Sequence, residues 1–138
     1  MPVSPDYKEF VGELLTPLGA ITIKPFFGGL EVKYGEVQFA WVLSDVLYFK
    51  VDDGNRADYE EAAVGPFMYE RDGREIMIRK LYEVPAFLFD EPDEMLAWAR
   101  KAIEAEMRAQ KAKKMKKRKS VKTGKGKQTK GNSSAARA

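Results

Sequence analysis

Apolar positions recur at helical spacing near the start of the chain and then switch to alternation. Phe10, Val11, Leu14, Leu15 and Leu18 fall at the intervals that place side chains on one face of a helix. Ser4-Pro5-Asp6 opens that helix, with a serine to cap free amides and a proline in the first turn, where its missing donor costs nothing. Thr16-Pro17 and Gly19 close it. From Ile21 the period is two: Ile21 and Ile23, then Leu30, Val32 and Tyr34, then Val37, Phe39 and Trp41 alternate with their neighbours, and Val46 to Val51 forms a fourth strand. Phe27-Gly28-Gly29, Tyr34-Gly35-Glu36 and Ser44-Asp45 punctuate these runs as short hairpin turns.

Asp52-Asp53-Gly54-Asn55 offers cap residues for a short helix reaching Ala63, and Gly65-Pro66 stops it. Strands from Phe67 to Arg71 and from Glu75 to Leu81 are joined across Asp72-Gly73, and Pro85 ends the sheet region. The acidic stretch Asp90 to Glu94 opens a last helix whose apolar stripe is Met95, Trp98, Ala99, Ala102 and Ile103. The stripe fades past Met107. The order is α-β-β-β-β-α-β-β-α, which predicts an α+β, two-layer domain: an antiparallel sheet of about six strands with helices on one face. A folded domain over residues 1–110 is expected, then a Lys-rich, low-complexity basic C-terminal tail over 111–138. Lys111 to Lys119 can prolong the helix when bound, and residues 120–138 are expected to be disordered.

Charge sharpens that boundary. Twelve of the 24 Lys and Arg lie between Lys111 and Arg137, where there is no Asp or Glu. The other twelve face all 21 acids within residues 1–108, so the body is near −9, the tail is +12, and the net charge of +3 conceals the division. A basic arm of this kind suits a polyanion or an acidic surface. Lys113, Lys114, Lys116, Lys117, Arg118, Lys119, Lys122 and Lys125 are the candidate nucleic-acid contacts. They can neutralise phosphates without reading bases, because lysine dominates and no aromatic residue interleaves. The competing reading is a solubilising tail that folds back on its own acidic body.

The composition also narrows the chemistry. The chain has no Cys and no His, which removes thiol nucleophiles, imidazole bases and the common nitrogen or sulfur zinc sites. In the body only Ser4 and Ser44 offer a serine hydroxyl, both at cap or turn positions. Gly28-Gly29 lacks the residues of a phosphate loop and reads as a turn. Asp52, Asp53, Asn55 and Asp58 form the best oxygen cluster for a hard cation, but their order does not fit a calcium loop and helix capping explains them. Phe39, Trp41, Tyr48, Phe49, Phe67 and Tyr69 resemble a base-stacking platform, although strand packing accounts for them better. No cofactor, no metal and no enzymatic activity are expected. With no apolar segment of signal-peptide or membrane-spanning form, a cytoplasmic location without membrane attachment is expected.

Several blocks in order resemble the N-terminal domain of the TfoX (Sxy) competence regulators: Pro25-Phe26-Phe27-Gly28-Gly29, Leu47 to Asp52, Gly65-Pro66-Phe67 with Tyr69 to Gly73, Tyr82-Glu83-Val84-Pro85, and Trp98-Ala99. Within them Phe26, Phe27, Gly28, Gly29, Tyr48, Lys50, Tyr82, Pro85 and Trp98 are the motif positions, and their expected role is mainly structural. Phe26 stands where the family usually has methionine. The resemblance spans about residues 7–108. Longer relatives carry a second, helical C-terminal domain where this chain has the basic tail. The resemblance implies a bacterial cytoplasmic regulator, a transcription coregulator of competence, acting through a protein partner in the transcription machinery and having no established catalytic residues. A homodimer is also expected. The alternative is a small-ligand-binding or catalytic domain using a cleft near Phe26-Gly29.

Overall fold

A computed structural model describes residues 3–125, with side-chain surroundings through Lys116. The described residues divide into a compact unit that ends at Glu106 and a second that begins at Met107. Helix α1, Pro5–Leu15, begins where Ser4, in extended conformation, accepts a hydrogen bond on its Oγ from the Tyr7 N–H at 3.2 Å. The Ser4 N–H in turn donates to Asp45 Oδ1 at 2.8 Å, tying the helix start to a distant hairpin turn. A 3-10 turn over Thr16–Leu18 follows, and Gly19, at φ 122°, redirects the chain.

Strands β1 (Ile21–Phe26), β2 (Gly29–Tyr34), β3 (Val37–Leu43) and β4 (Val46–Lys50) form a meander. After α2, Arg56–Glu61, come β5 (Pro66–Arg71) and β6 (Arg74–Glu83). All pairings are antiparallel and the sheet order is β1-β2-β3-β4-β6-β5. The fold is therefore the expected α+β arrangement with six antiparallel strands. Three hairpins turn through two residues of positive φ: Phe27-Gly28, Ser44-Asp45 and Asp72-Gly73. That geometry matches the strand twist.

The core follows from register. Val32 pairs with Ala40, Ala40 with Phe49, and Phe49 with Tyr82, so one row crosses four strands. Val11 and Leu15 of α1 and Met95, Ala99 and Ala102 of the last helix join this row in one buried cluster. A second cluster, with Leu43, Phe67 and Leu81 at its centre and Trp41, Tyr48, Tyr69 and Ile78 around them, contains strand residues only. Helix residues thus enter only the first cluster, which gives two layers.

Simple alternation would place Phe39 and Trp41 on the same face. The register instead shifts between Val32 and Lys33, leaving Phe39 as the extra residue of a bulge in β3. Phe39 and Ala40 are both fully buried, and Trp41 belongs to the second cluster. A bulge turns two successive side chains toward the same side, so periodicity beyond it is out of phase with what precedes.

Helix α2 ends sooner than its expected limit at Ala63, whose φ of 61° is incompatible with a continuing helix. Its approach is organised by Asn55, the buried polar residue of the described core. Asn55 Oδ1 accepts from the Asp52 N–H at 2.8 Å, and Asn55 Nδ2 donates to the Lys50 carbonyl at 3.1 Å. Asp52 Oδ1 accepts from the Gly54 N–H at 2.9 Å. The expected capping by Asp52 and Asp53 is therefore replaced by a folded-back turn, with Asn55 at the N-cap position.

After a 3-10 turn over Ala86–Asp90, α3 runs from Pro92 to Lys125. Residues 111–119 consist of Ala, Lys, Met and Arg, good helix formers, and lengthening an existing helix adds a hydrogen bond for each residue fixed; residues 120–125, where the expected disorder begins, are mostly weak helix formers. The expectation of disorder over 126–138 lies outside the described residues.

Two stability outcomes follow from the buried polar atoms. Asn55→Ala leaves the Lys50 carbonyl and the Asp52 amide without their partner and is expected to cost about 2 kcal/mol in denaturant unfolding. Tyr59, 1% exposed, has a hydroxyl with no partner among the described residues. Tyr59→Phe is therefore expected to leave stability unchanged or raise it by up to about 1 kcal/mol at neutral pH. Burial, and secondarily Asp58, push the Tyr59 phenol above its usual 10.0. The folded state holds the proton while the unfolded state releases it above pH 10.0, so wild-type stability falls there. The advantage of Tyr59→Phe should widen by about 1.4 kcal/mol per pH unit above that point, which urea titrations at successive pH values would measure.

Candidate interaction surfaces

The second face of the sheet carries a row of rings. Trp41 and Tyr48 are registered partners on β3 and β4. Phe26 lies 5.2 Å from Trp41, Phe27 meets Phe26 edge-on at 4.5 Å, Tyr48 meets Phe67 edge-on at 5.0 Å, and Tyr69 stacks on Phe67 at 5.8 Å. The six aromatics that the sequence groups together are split by the sheet. Phe39 and Phe49, 6.0 Å apart, lie in the helix-covered core. Trp41, Tyr48, Phe67 and Tyr69 lie in the strand-only cluster.

The glycine pair is a turn, and its two members have different constraints. Gly28 has φ 81°, a conformation that side chains other than glycine adopt at a cost. Gly29 is limited by space: a Cβ there would sit 2.3 Å from the Val42 carbonyl oxygen and 2.5 Å from Leu43 Cδ2. On that side of Gly29 the backbone of β3 occupies the space a side chain would need. Phe27, on the outer side of the same turn, is 87% exposed.

The remaining motif positions serve packing and anchoring. Lys50 Nζ lies 3.4 Å from Glu106 Oε1, with both side chains only 17% exposed, and stands 5.9 Å from the Trp41 ring centre. Lys50 thus joins the end of β4 to α3. Tyr82 and Trp98 both meet the buried Tyr59, at 5.6 and 4.8 Å, while Pro85 is buried where β6 gives way to the 3-10 turn. The oxygen cluster of Asp52, Asp53, Asn55 and Asp58 is dispersed among other tasks. Asp53 pairs with Arg56, Asp58 with Lys101 at 2.8 Å, and Asn55 with the backbone. Among the described residues no group of acids is placed to hold a metal.

Of the tail candidates, Lys113, Lys114 and Lys116 are exposed on α3 beside Lys111, and Met115 between them is 54% exposed. Lys117, Arg118, Lys119, Lys122 and Lys125 continue the same helix. Two of its four acids, Asp93 and Glu94, lie in the first turn and its densest cations lie toward the other end, the order that the helix dipole favours. No helix among the described residues is long and apolar enough to cross a membrane.

Sequence reasoning missed the acidic character of one end of the sheet. Burial first, then Asp45 and Glu83, raise the Tyr7 phenol, and burial with Glu83 raises that of Tyr48. Glu83 therefore acts on both rings and Asp45 on Tyr7. The long stretches without Lys or Arg, residues 34–49 and 81–99, were the available signal, but only the strand pairing of Tyr48 with Glu83 brings them together.

Comparison with known proteins matches residues 13–106 to the family model of the TfoX N-terminal domain. No curated protein matches the chain. The matched span takes in every motif position from Phe26 to Trp98 and ends at Glu106, the partner of Lys50.

Gly29→Ala is expected to cost about 3 kcal/mol, because the atom it would strike first is backbone and cannot rotate away. Chemical denaturation compared with wild type would measure this.

Proposed function

Because the chain belongs to the TfoX N-terminal domain family, we propose that it is a non-enzymatic regulatory adaptor in the cytoplasm. Its folded unit engages a protein partner in the transcription machinery, in the manner of a competence coregulator, and the Lys-rich end of α3 adds sequence-independent affinity for nucleic acid. The observation that carries this reading is the charge division along the chain. All 21 acids precede Met107, while exposed Lys111, Lys113, Lys114 and Lys116 follow it in a segment that is already helical. An acidic surface disfavours phosphate, so contact with nucleic acid falls to the helix and selectivity to the folded unit. The motif residues support this division because their geometry is spent on turns, rings and the Lys50–Glu106 pair rather than on a nucleophile beside a base.

Binding of the full chain to a duplex DNA of arbitrary sequence should weaken steeply with salt. Replacing Lys113, Lys114 and Lys116 together with Gln should flatten the slope of log affinity against log salt by about two to three, at roughly 0.9 for each phosphate no longer neutralised. A triple variant with the wild-type slope would remove the helix from the reading.

A further inference from the structure

Phe27 bears two costs that folding does not explain. It is 87% exposed, and its φ of 48° is a conformation that bulky side chains rarely adopt. The other two hairpins of this type place Ser44-Asp45 and Asp72-Gly73 at the equivalent positions, residues suited to such turns. Behind Phe27 stand Phe26 and then Trp41, so the exposed ring is the outermost part of an apolar ledge. An exposed, rigid aromatic backed by others has the form of a binding anchor.

Lys50 stands over the inner ring of the ledge, Trp41, and Lys24 pairs with Glu31 on the strands behind the turn, but negative charge lies at the ledge's outer end. Leu30 pairs with Val42, so the Phe27-Gly28 turn and the Ser44-Asp45 turn lie at the same end of the sheet. Glu83, partner of Tyr48, lies toward that end too, where the Val84 N–H donates to the Leu47 carbonyl. Asp45 and Glu83 are exposed, and there is no Lys or Arg in residues 25–32, 34–49 or 81–99.

We infer that this Phe27 end docks on the Lys-rich stretch of α3 in a second copy of the chain. Charge decides among the contacts that two copies can make. Tip against tip opposes Asp45 and Glu83 to their own counterparts, and helix against helix opposes cations to cations. Strand addition is hindered because the outer strands β1 and β5 carry Pro25 and Pro66. Tip on helix sets the carboxylates against Lys111, Lys113, Lys114 and Lys116, and offers the half-exposed Met115 to the rings, a favourable sulfur and aromatic contact. A reciprocal exchange, each tip on the other copy's helix, closes a two-fold pair. This goes beyond the adaptor reading but uses the same lysines.

The test is sedimentation velocity of the full chain at ~50 mM and ~500 mM salt, a range over which exposed charges become largely screened. The wild type should sediment at twice 15.6 kDa in low salt and at 15.6 kDa in high salt. Phe27→Asn suits the left-handed turn, so its melting temperature should equal or exceed that of the wild type while its low-salt association weakens at least tenfold. The triple Lys113, Lys114 and Lys116 to Gln variant should also be monomeric. Mixing the two variants should restore a complex, because one supplies an intact helix and the other an intact tip. A wild type that stays monomeric in low salt, a Phe27→Asn chain that associates like wild type, or a mixture that stays monomeric would each overturn the inference. Phe27→Asn releases the α3 lysines from the pairing and should bind duplex DNA at least as tightly as the wild type at ~50 mM salt, whereas the triple Gln variant loses both pairing and DNA binding, so failure of the pairing and failure of the nucleic-acid reading give different results.

Discussion

The lateral registration of Val32, Ala40, Phe49 and Tyr82 is the constraint from which the rest of the fold follows. Because side-chain direction alternates along each strand, the alignment of these four fixes which residues of β2, β3, β4 and β6 meet the helices and which are left to pack among themselves. The bulge at Phe39 belongs to the same constraint. It allows the long β3 to deliver two adjacent residues to the helix-covered core and then resume alternation, with Trp41 on the other side. A slip of a single residue would exchange the occupants of both faces.

The motif positions of the family divide along this line. Tyr82 and Trp98 converge on Tyr59 beneath the helices, Gly28 and Gly29 make the β1–β2 turn possible, and Lys50 fastens the end of β4 to Glu106. Each solves a packing problem. Phe27 alone among them is turned outward with its ring almost fully exposed. The half-buried ion pair differs in kind from the surface pairs of Arg56 and Lys101: its two ends are mostly removed from water, so loss of either would leave a poorly solvated charge.

Element types and order were legible because the chain's local signals agree with the fold. The Ser4-Pro5 start, the Asp72-Gly73 hairpin and the stripe from Met95 to Ile103 each announce what forms. What was not legible depends on pairing. Phe39 looks like a partner of Trp41 until the neighbouring strand shows the bulge, and Asp52 looks like a cap until Asn55 folds back onto the Lys50 carbonyl. The charge division was plain from composition. The acidic end of the sheet was not, since Asp45 and Glu83 are far apart in the chain and reach the same end of the sheet only through β4 and β6. Gly29 gave no sign that β3 backbone, rather than a turn dihedral, forbids a side chain there.

The meander of β1 to β4 has a consequence for synthesis. Its strands pair with their immediate successors through two-residue turns, contacts of short sequence separation that form early and fast. Of the side chains that shield the resulting row, Val11 and Leu15 are made before it, but Met95, Ala99 and Ala102 only after it. At elongation rates of about 5–20 residues per second, several seconds pass between completion of Phe49 and emergence of the covering helix. During that interval a half-built sheet displays Val32, Ala40, Val42 and Phe49 to its surroundings. For the nascent chain, α3 is therefore the element whose arrival ends exposure to aggregation and to chaperones.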